Sequence, residues 1–206
     1  MTSRSLYEAL FPLSTIMKQR VVDNFDATVL NERWNETNNS ETNTFQMVDE
    51  VDEGFEIETV SAISNAEINF NDIRQYDFDN MVVIAEVRET VSSNYLLRIG
   101  ANLDISGNTE VMWRETRDGV SFTSLRTFHQ SSNTITNTTV SESTSWGTVK
   151  LVGSSANTIL FEDGVLEVTS TANIPAGKAQ PQLQGLTRIA GATHSHRIRY
   201  YEAYQT

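Results

Sequence analysis

From Val21 onward, apolar and polar residues alternate along most of the chain. Gly54–Val60 reads Gly-Phe-Glu-Ile-Glu-Thr-Val, and Glu110–Thr116 reads Glu-Val-Met-Trp-Arg-Glu-Thr. A period of two belongs to strands, because successive side chains point to opposite faces of a pleated sheet. In the second segment it puts Val111 and Trp113 on one face. Met81–Arg88 is apolar on both faces before it alternates, as expected of a central strand covered on both sides. Further strands are predicted near Thr44–Val48, Glu67–Phe70, Tyr95–Gly100, Val120–Phe122, Thr148–Val152, Thr158–Phe161, Val165–Val168 and His196–Tyr201. The polar run Ser131–Ser141 reads as an exposed strand, since its Thr and Ile residues suit a pleated surface. Asp118-Gly119 and Asp163-Gly164 are two-residue hairpin signals. Short strands with turns at this spacing predict an all-β, antiparallel sandwich or barrel.

Residues 1–20 follow a different rhythm. Leu6, Leu10, Leu13 and Met17 recur at helical spacing, with Phe11 and Ile16 beside them and Pro12 bending the stripe. This is a short helix packed on its own domain or an arm docked on a neighbouring subunit. Residues 21–206 then form one β domain.

Composition narrows the chemistry. The chain has 206 residues and no cysteine, which excludes disulfides, thiolate nucleophiles and Cys-bound metals. A chain of this length buries about 70% of its unfolded surface, so a core needs no covalent staple. With 15 basic and 27 acidic residues, the net charge of -12 opposes phosphate backbones, and no nucleic-acid partner is expected. No apolar run reaches the ~20 residues of a membrane span, and no secretory signal is expected at the N-terminus. Asn, Ser and Thr supply roughly 30% of the residues, well above ordinary usage.

Three segments together resemble the concanavalin A-like lectin/glucanase superfamily, above all its laminin-G-like members. Asn24-Phe25-Asp26 with Leu30 and Trp34 is similar to the opening strand and turn. Trp146-Gly147-Thr148-Val149-Lys150-Leu151, then Phe161-Glu162-Asp163-Gly164, is similar to an internal hairpin. Arg197–Glu202 is similar to the closing strand, which pairs back near the first. The resemblance implies a two-sheet antiparallel jelly-roll sandwich with one concave face, here preceded by the short helical arm. Trp34 and Trp146 are the expected anchors of the inter-sheet core.

Glucanases of this superfamily carry a Glu-x-Asp-x-Glu strand. Asp49-Glu50-Val51-Asp52-Glu53-Gly54 fails that spacing and reads as an acidic turn. The two imidazoles of His194-Ser195-His196 lack a third metal ligand and read as surface histidines. No cofactor is expected, a calcium ion at Asp77 and Asp79 aside. The chain is therefore expected not to be an enzyme. It reads as a structural component of a virion or other extracellular particle, made in the cytoplasm without a signal peptide. Its expected partners are further copies of itself, as a trimer, and other structural proteins of the assembly. Leu6, Leu10, Phe11 and Leu13 of the arm are buried against a neighbour in that reading. The alternative is a carbohydrate-binding module that holds glycans at Trp113, Arg114 and Arg98. A glucanase ranks last.

Overall fold

The structure, a computed structural model, describes residues 20–25, 30, 32, 34–38, 44–47, 54–59, 64–70, 76–89, 95–105, 108–116, 122–141, 143–187 and 194–206. The expected assembly arm at Leu6, Leu10, Phe11 and Leu13 lies outside these residues, as do residues 49–53 of the acidic run and the Asp118-Gly119 turn.

In chain order the strands begin with β1 (Arg20–Asp23), β2 (Trp34–Asn38), β3 (Thr44–Met47), β4 (Phe55–Thr59) and β5 (Ser64–Phe70). There follow β6 (Tyr76–Asp77), β7 (Met81–Glu89), β8 (Tyr95–Ile105), β9 (Asn108–Glu115), β10 (Phe122–Gln130) and β11 (Ser132–Ser141). The last are β12 (Gly147–Gly153), β13 (Thr158–Glu162), β14 (Val165–Ser170), β15 (Lys178–Thr187) and β16 (His194–Gln205). They form two antiparallel sheets. The first runs β14-β13-β12-β7-β16-β4-β3 with β1 on β16, and the second runs β11-β10-β9-β8-β15-β5-β2 with β6 on β15. Among the described residues there is no helix, and the expected two-layer antiparallel sandwich is present.

The core lies between the sheets. β7, the middle strand of the first sheet, sends Met81, Val83, Ala85 and Val87 inward, while β8 answers with Leu97, Ile99 and Ala101. Each fully buried Val, Leu, Ile or Met among them stabilises the fold by about 1.5–3 kcal/mol relative to exposure. Trp34 is an anchor as expected. Its ring packs edge-on to Tyr201 at 5.3 Å, and its Nε1 donates to Asp23 Oδ2 at 2.9 Å. The Asp163-Gly164 turn joins β13 to β14 with φ of 48° and 80°, the left-handed pair that a tight hairpin requires. The closing strand β16 pairs with β1.

Trp146 departs from expectation. It stands outside the core, with the Arg199 guanidinium 4.6 Å and that of Arg88 5.3 Å from its ring centroid. These two arginines hold the indole at the outer side of the first sheet, where a cation over a ring face replaces apolar packing. His196 departs in the opposite sense. It is fully buried, in register with Glu89, and is no surface histidine.

The longest strand that the sequence reading did not expect is β15. Pro181 argues against a central strand, because it cannot donate to a ladder. The register explains its place: β6 pairs with Lys178 and Ala179, and β5 pairs only from Gln182 onward. Pro181 falls between the two partners, where no donor is needed.

Candidate functional site

β9 lies inside the second sheet, between β8 and β10, and strict alternation sorts its side chains. Met112 belongs to the inter-sheet core, whereas the buried Val111 and Trp113 do not. Val111, Trp113 and Glu115 therefore face outward, and Glu110, Met112 and Arg114 face the other sheet. The register carries the outward face across the neighbouring strands: Arg98 stands opposite Glu115 on β8, Arg126 opposite Trp113 on β10, and Gln184 opposite Arg98 on β15.

These outward side chains form one network. The Arg98 guanidinium lies over the Trp113 ring at 4.4 Å. Its Nε donates to Glu115 Oε2 at 2.8 Å and its Nη1 to Gln184 Oε1 at 2.7 Å. Arg126 Nη1 donates to the same Glu115 oxygen at 3.1 Å. Along β15, Gln180, Gln182 and Gln184 line this face at every second position, with Asn102 of β8 opposite Gln180. On an outward sheet face such groups are ordinarily wet, yet Trp113 is only 8% and Glu115 1% exposed. The face is sheltered, which strengthens every polar contact on it.

Arg114 is not part of this face. It lies between the sheets, donating from Nε to Glu162 Oε1 on β13 at 3.0 Å and from Nη1 to Glu89 on β7. The expected trio therefore divides: Trp113 and Arg98 come together, and Arg114 serves the interior. Thr123 also donates to Glu162 Oε1, at 2.9 Å, and bonds the Thr138 hydroxyl at 2.7 Å. Burial pulls the Arg114 guanidinium down, but Glu162 and Glu89 outweigh it, and it is held above its ordinary value. Burial pushes the Glu89 carboxyl above its reference of 4.5, against the pull of Arg114.

A raised carboxyl holds its proton more tightly in the folded protein than in the unfolded chain. Its contribution to stability is complete below the unfolded value and is lost as pH rises through the folded one. Glu89→Gln removes that titration. The stability of the native protein relative to this variant should therefore fall as pH rises above the unfolded reference of 4.5. Denaturant midpoints at several pH values read it, and a difference that grew with pH would reverse the sign argued here.

The remaining candidates are engaged in structure. Asp77 Oδ2 pairs with Lys178 Nζ at 3.3 Å, and Asp79 Oδ1 accepts from the Ser155 amide at 2.8 Å. The Gln205 amide fastens the same turn, accepting from Asp77 N at 2.9 Å and donating to Asp77 O at 3.1 Å. Among the described residues no group of three or more His, Asp or Glu side chains could hold a metal. Asp77 and Asp79, tied to a lysine and to turn amides, do not fit a calcium site. β9 also carries Glu110, on the opposite face from Glu115. It accepts from the Ala176 amide at 2.9 Å and from Gln130 N at 3.2 Å, and it contacts His129 Nδ1 at 2.9 Å, tying β9 to β10 and to the segment before β15.

The chain as a whole is similar to solved structures. It matches the Bacillus licheniformis beta-glucanase with a TM-score of 0.71 at 9% identity, covering 92% of this chain and 100% of that one. A prokaryotic beta-1,3-1,4-glucanase (lichenase) from a mouse hindgut metagenome gives a TM-score of 0.71 and 9% identity, over 90% of this chain and 98% of that one. The Crh5 transglycosylase in complex with NAG gives 0.68 and 9%, over 91% and 84%. No family model and no curated protein matches the sequence. These likenesses correct two expectations. The neighbours are glucanases and a transglycosylase, which overturns the virion component. They also remove the ground for expecting no enzyme, because catalytic proteins have this same sandwich. At this identity the likeness shows the fold, and the chain has the concanavalin A-like jelly-roll sandwich of the β-glucanases.

Proposed function

We propose that this protein is carbohydrate-active and holds a glycan chain along the outward face of the second sheet, across β10, β9, β8 and β15. The observation that carries this reading is the sheltered row formed by Trp113, Arg98 and Gln184, with Glu115 and Arg126 beside it. A pyranose offers an apolar C–H face and a rim of hydroxyls. An indole backed by a guanidinium suits the first. The amides of Gln180, Gln182, Gln184 and Asn102 each donate and accept, which suits the second. The fold shared with glucanases and a transglycosylase supports the same class of ligand.

The test is a glycan array followed by calorimetry on the oligosaccharides that bind. Trp113→Ala should weaken binding about 30-fold, the ~2 kcal/mol loss typical of a central aromatic contact. A melting curve beside each titration separates loss of the platform from loss of the fold. A blank array, or undiminished binding by a folded Trp113→Ala protein, would sink the proposal. Reducing ends released from β-1,3-1,4-glucan are measured in the same samples. Release that vanishes in Glu115→Gln would give that carboxylate a catalytic role.

A further inference from the structure

Two N–H donors on this face lack a hydrogen-bond partner. They are Trp113 Nε1 and Arg126 Nε, both buried. They belong to residues directly opposite each other in the β9–β10 register, so their side chains are neighbours on one sheet face. Arg126 spends Nη1 on Glu115, and among the described residues nothing bonds its Nε–Nη2 edge. That edge is the one through which a guanidinium takes two oxygens of a single anion side-on. A buried donor left unsatisfied is costly, so each of these two calls for an acceptor atom, supplied by a water or by a ligand. Both donors ask for acceptors, and the guanidinium asks for a paired, negatively charged acceptor. A neutral vicinal diol can also offer two oxygens to this edge, but only an ionised acceptor makes both bonds charge-assisted, roughly twice as strong as neutral ones.

Resting on the glycan-binding reading, we infer that the glycan is acidic. A sugar bearing a carboxylate or a sulfate ester places two of its anionic oxygens on the Nε–Nη2 edge of Arg126, beside the Trp113 N–H. The net charge of -12 gives this inference a signature of its own. Long-range repulsion opposes a polyanion at low ionic strength and is screened beyond a Debye length of about 10 Å at 0.1 M salt. Affinity should therefore rise with the first additions of salt, the reverse of a generic basic patch.

Affinity electrophoresis and calorimetry on the full chain test this with named probes. These are polygalacturonate, alginate and hyaluronan, each beside its carboxyl-reduced product, together with dextran sulfate against dextran and a neutral β-1,3-1,4-glucan. At least one acidic polymer should bind ten-fold or more tighter than its neutral counterpart. Preference for a uronate pair assigns a carboxylate, and preference for dextran sulfate assigns a sulfate. Arg126→Gln should abolish the preference, so that on this variant an acidic polymer and its neutral counterpart bind within about two-fold of each other. Arg126→Lys, which keeps the charge and loses the two-point edge, should lose most of it. Melting curves establish that both variants fold. Neutral polymers bound as well as acidic ones, or a preference that survives Arg126→Gln, would overturn the acidic ligand and leave the glycan-binding face standing. Failure of every polymer would overturn both.

Discussion

Arg114→Met should destabilise the protein by about 3–5 kcal/mol, the cost of leaving a buried charge partner uncompensated. For a domain of this size that lowers the melting midpoint by roughly 6–20 °C. The reason is the position of the guanidinium between the two sheets, 4% exposed, where it reaches Glu89 on β7 and Glu162 on β13. Without it, Glu162 keeps its bond from Thr123, but Glu89 loses the partner that opposes its desolvation. Arg114→Lys should rescue only part of the loss, since one ammonium cannot reproduce the forked geometry. Replacing all three by apolar residues of similar volume, Arg114→Met with Glu89→Leu and Glu162→Leu, should recover most or all of the stability. Chemical denaturation of the single and triple variants reads both effects. A single variant within 1 kcal/mol of the native protein would mean that the triad is solvated rather than enclosed.

Alternation made much of this legible, and the failures have physical causes. The doubly apolar run at Met81 does form the middle strand of the first sheet, with Val82 buried on the face turned away from the core and Ile84 half-buried there. The polar stretch after Ser131 does form β11, an edge strand whose outer positions need no apolar side chains. β9 was legible to within two residues, read as Glu110–Thr116 and found at Asn108–Glu115. Strict parity already separated Arg114 from Trp113, so grouping them as one sugar site overlooked the pleat. β15 was hidden by Pro181, although Gln180, Gln182 and Gln184 kept the period of two that could have revealed it. Trp146 misled because bulk and hydrophobicity cannot distinguish a core indole from one clasped by arginines. The network joining Arg98, Glu115, Arg126 and Gln184 spans four strands drawn from residues 95–187, and its members meet only through register. No local motif encodes such a site.

Gly100→Ala should cost about 3–5 kcal/mol and disturb the outward face as well. Gly100 sits in β8 with φ of 155°, a conformation that L side chains rarely adopt. A Cβ built there lies 2.0 Å from the Met112 carbonyl oxygen and 3.1 Å from Leu151 Cδ1. The first obstacle is backbone, so β9 must move to relieve it. In register, Gly100 stands opposite Trp113, and the Gly100 carbonyl accepts from the Tyr201 hydroxyl at 2.9 Å. A shift here therefore reaches the core on one side and the Arg98–Trp113 stack on the other. Gly164→Ala is the control. Its φ of 80° is also left-handed, but nothing lies within 4 Å of the added atom, so only the backbone term of about 1–2 kcal/mol applies. The difference between the two variants isolates the steric contact from the φ penalty. Equal losses in denaturation would show that β9 yields freely at Met112, and an unchanged intrinsic tryptophan emission in Gly100→Ala would show that the disturbance stops short of Trp113.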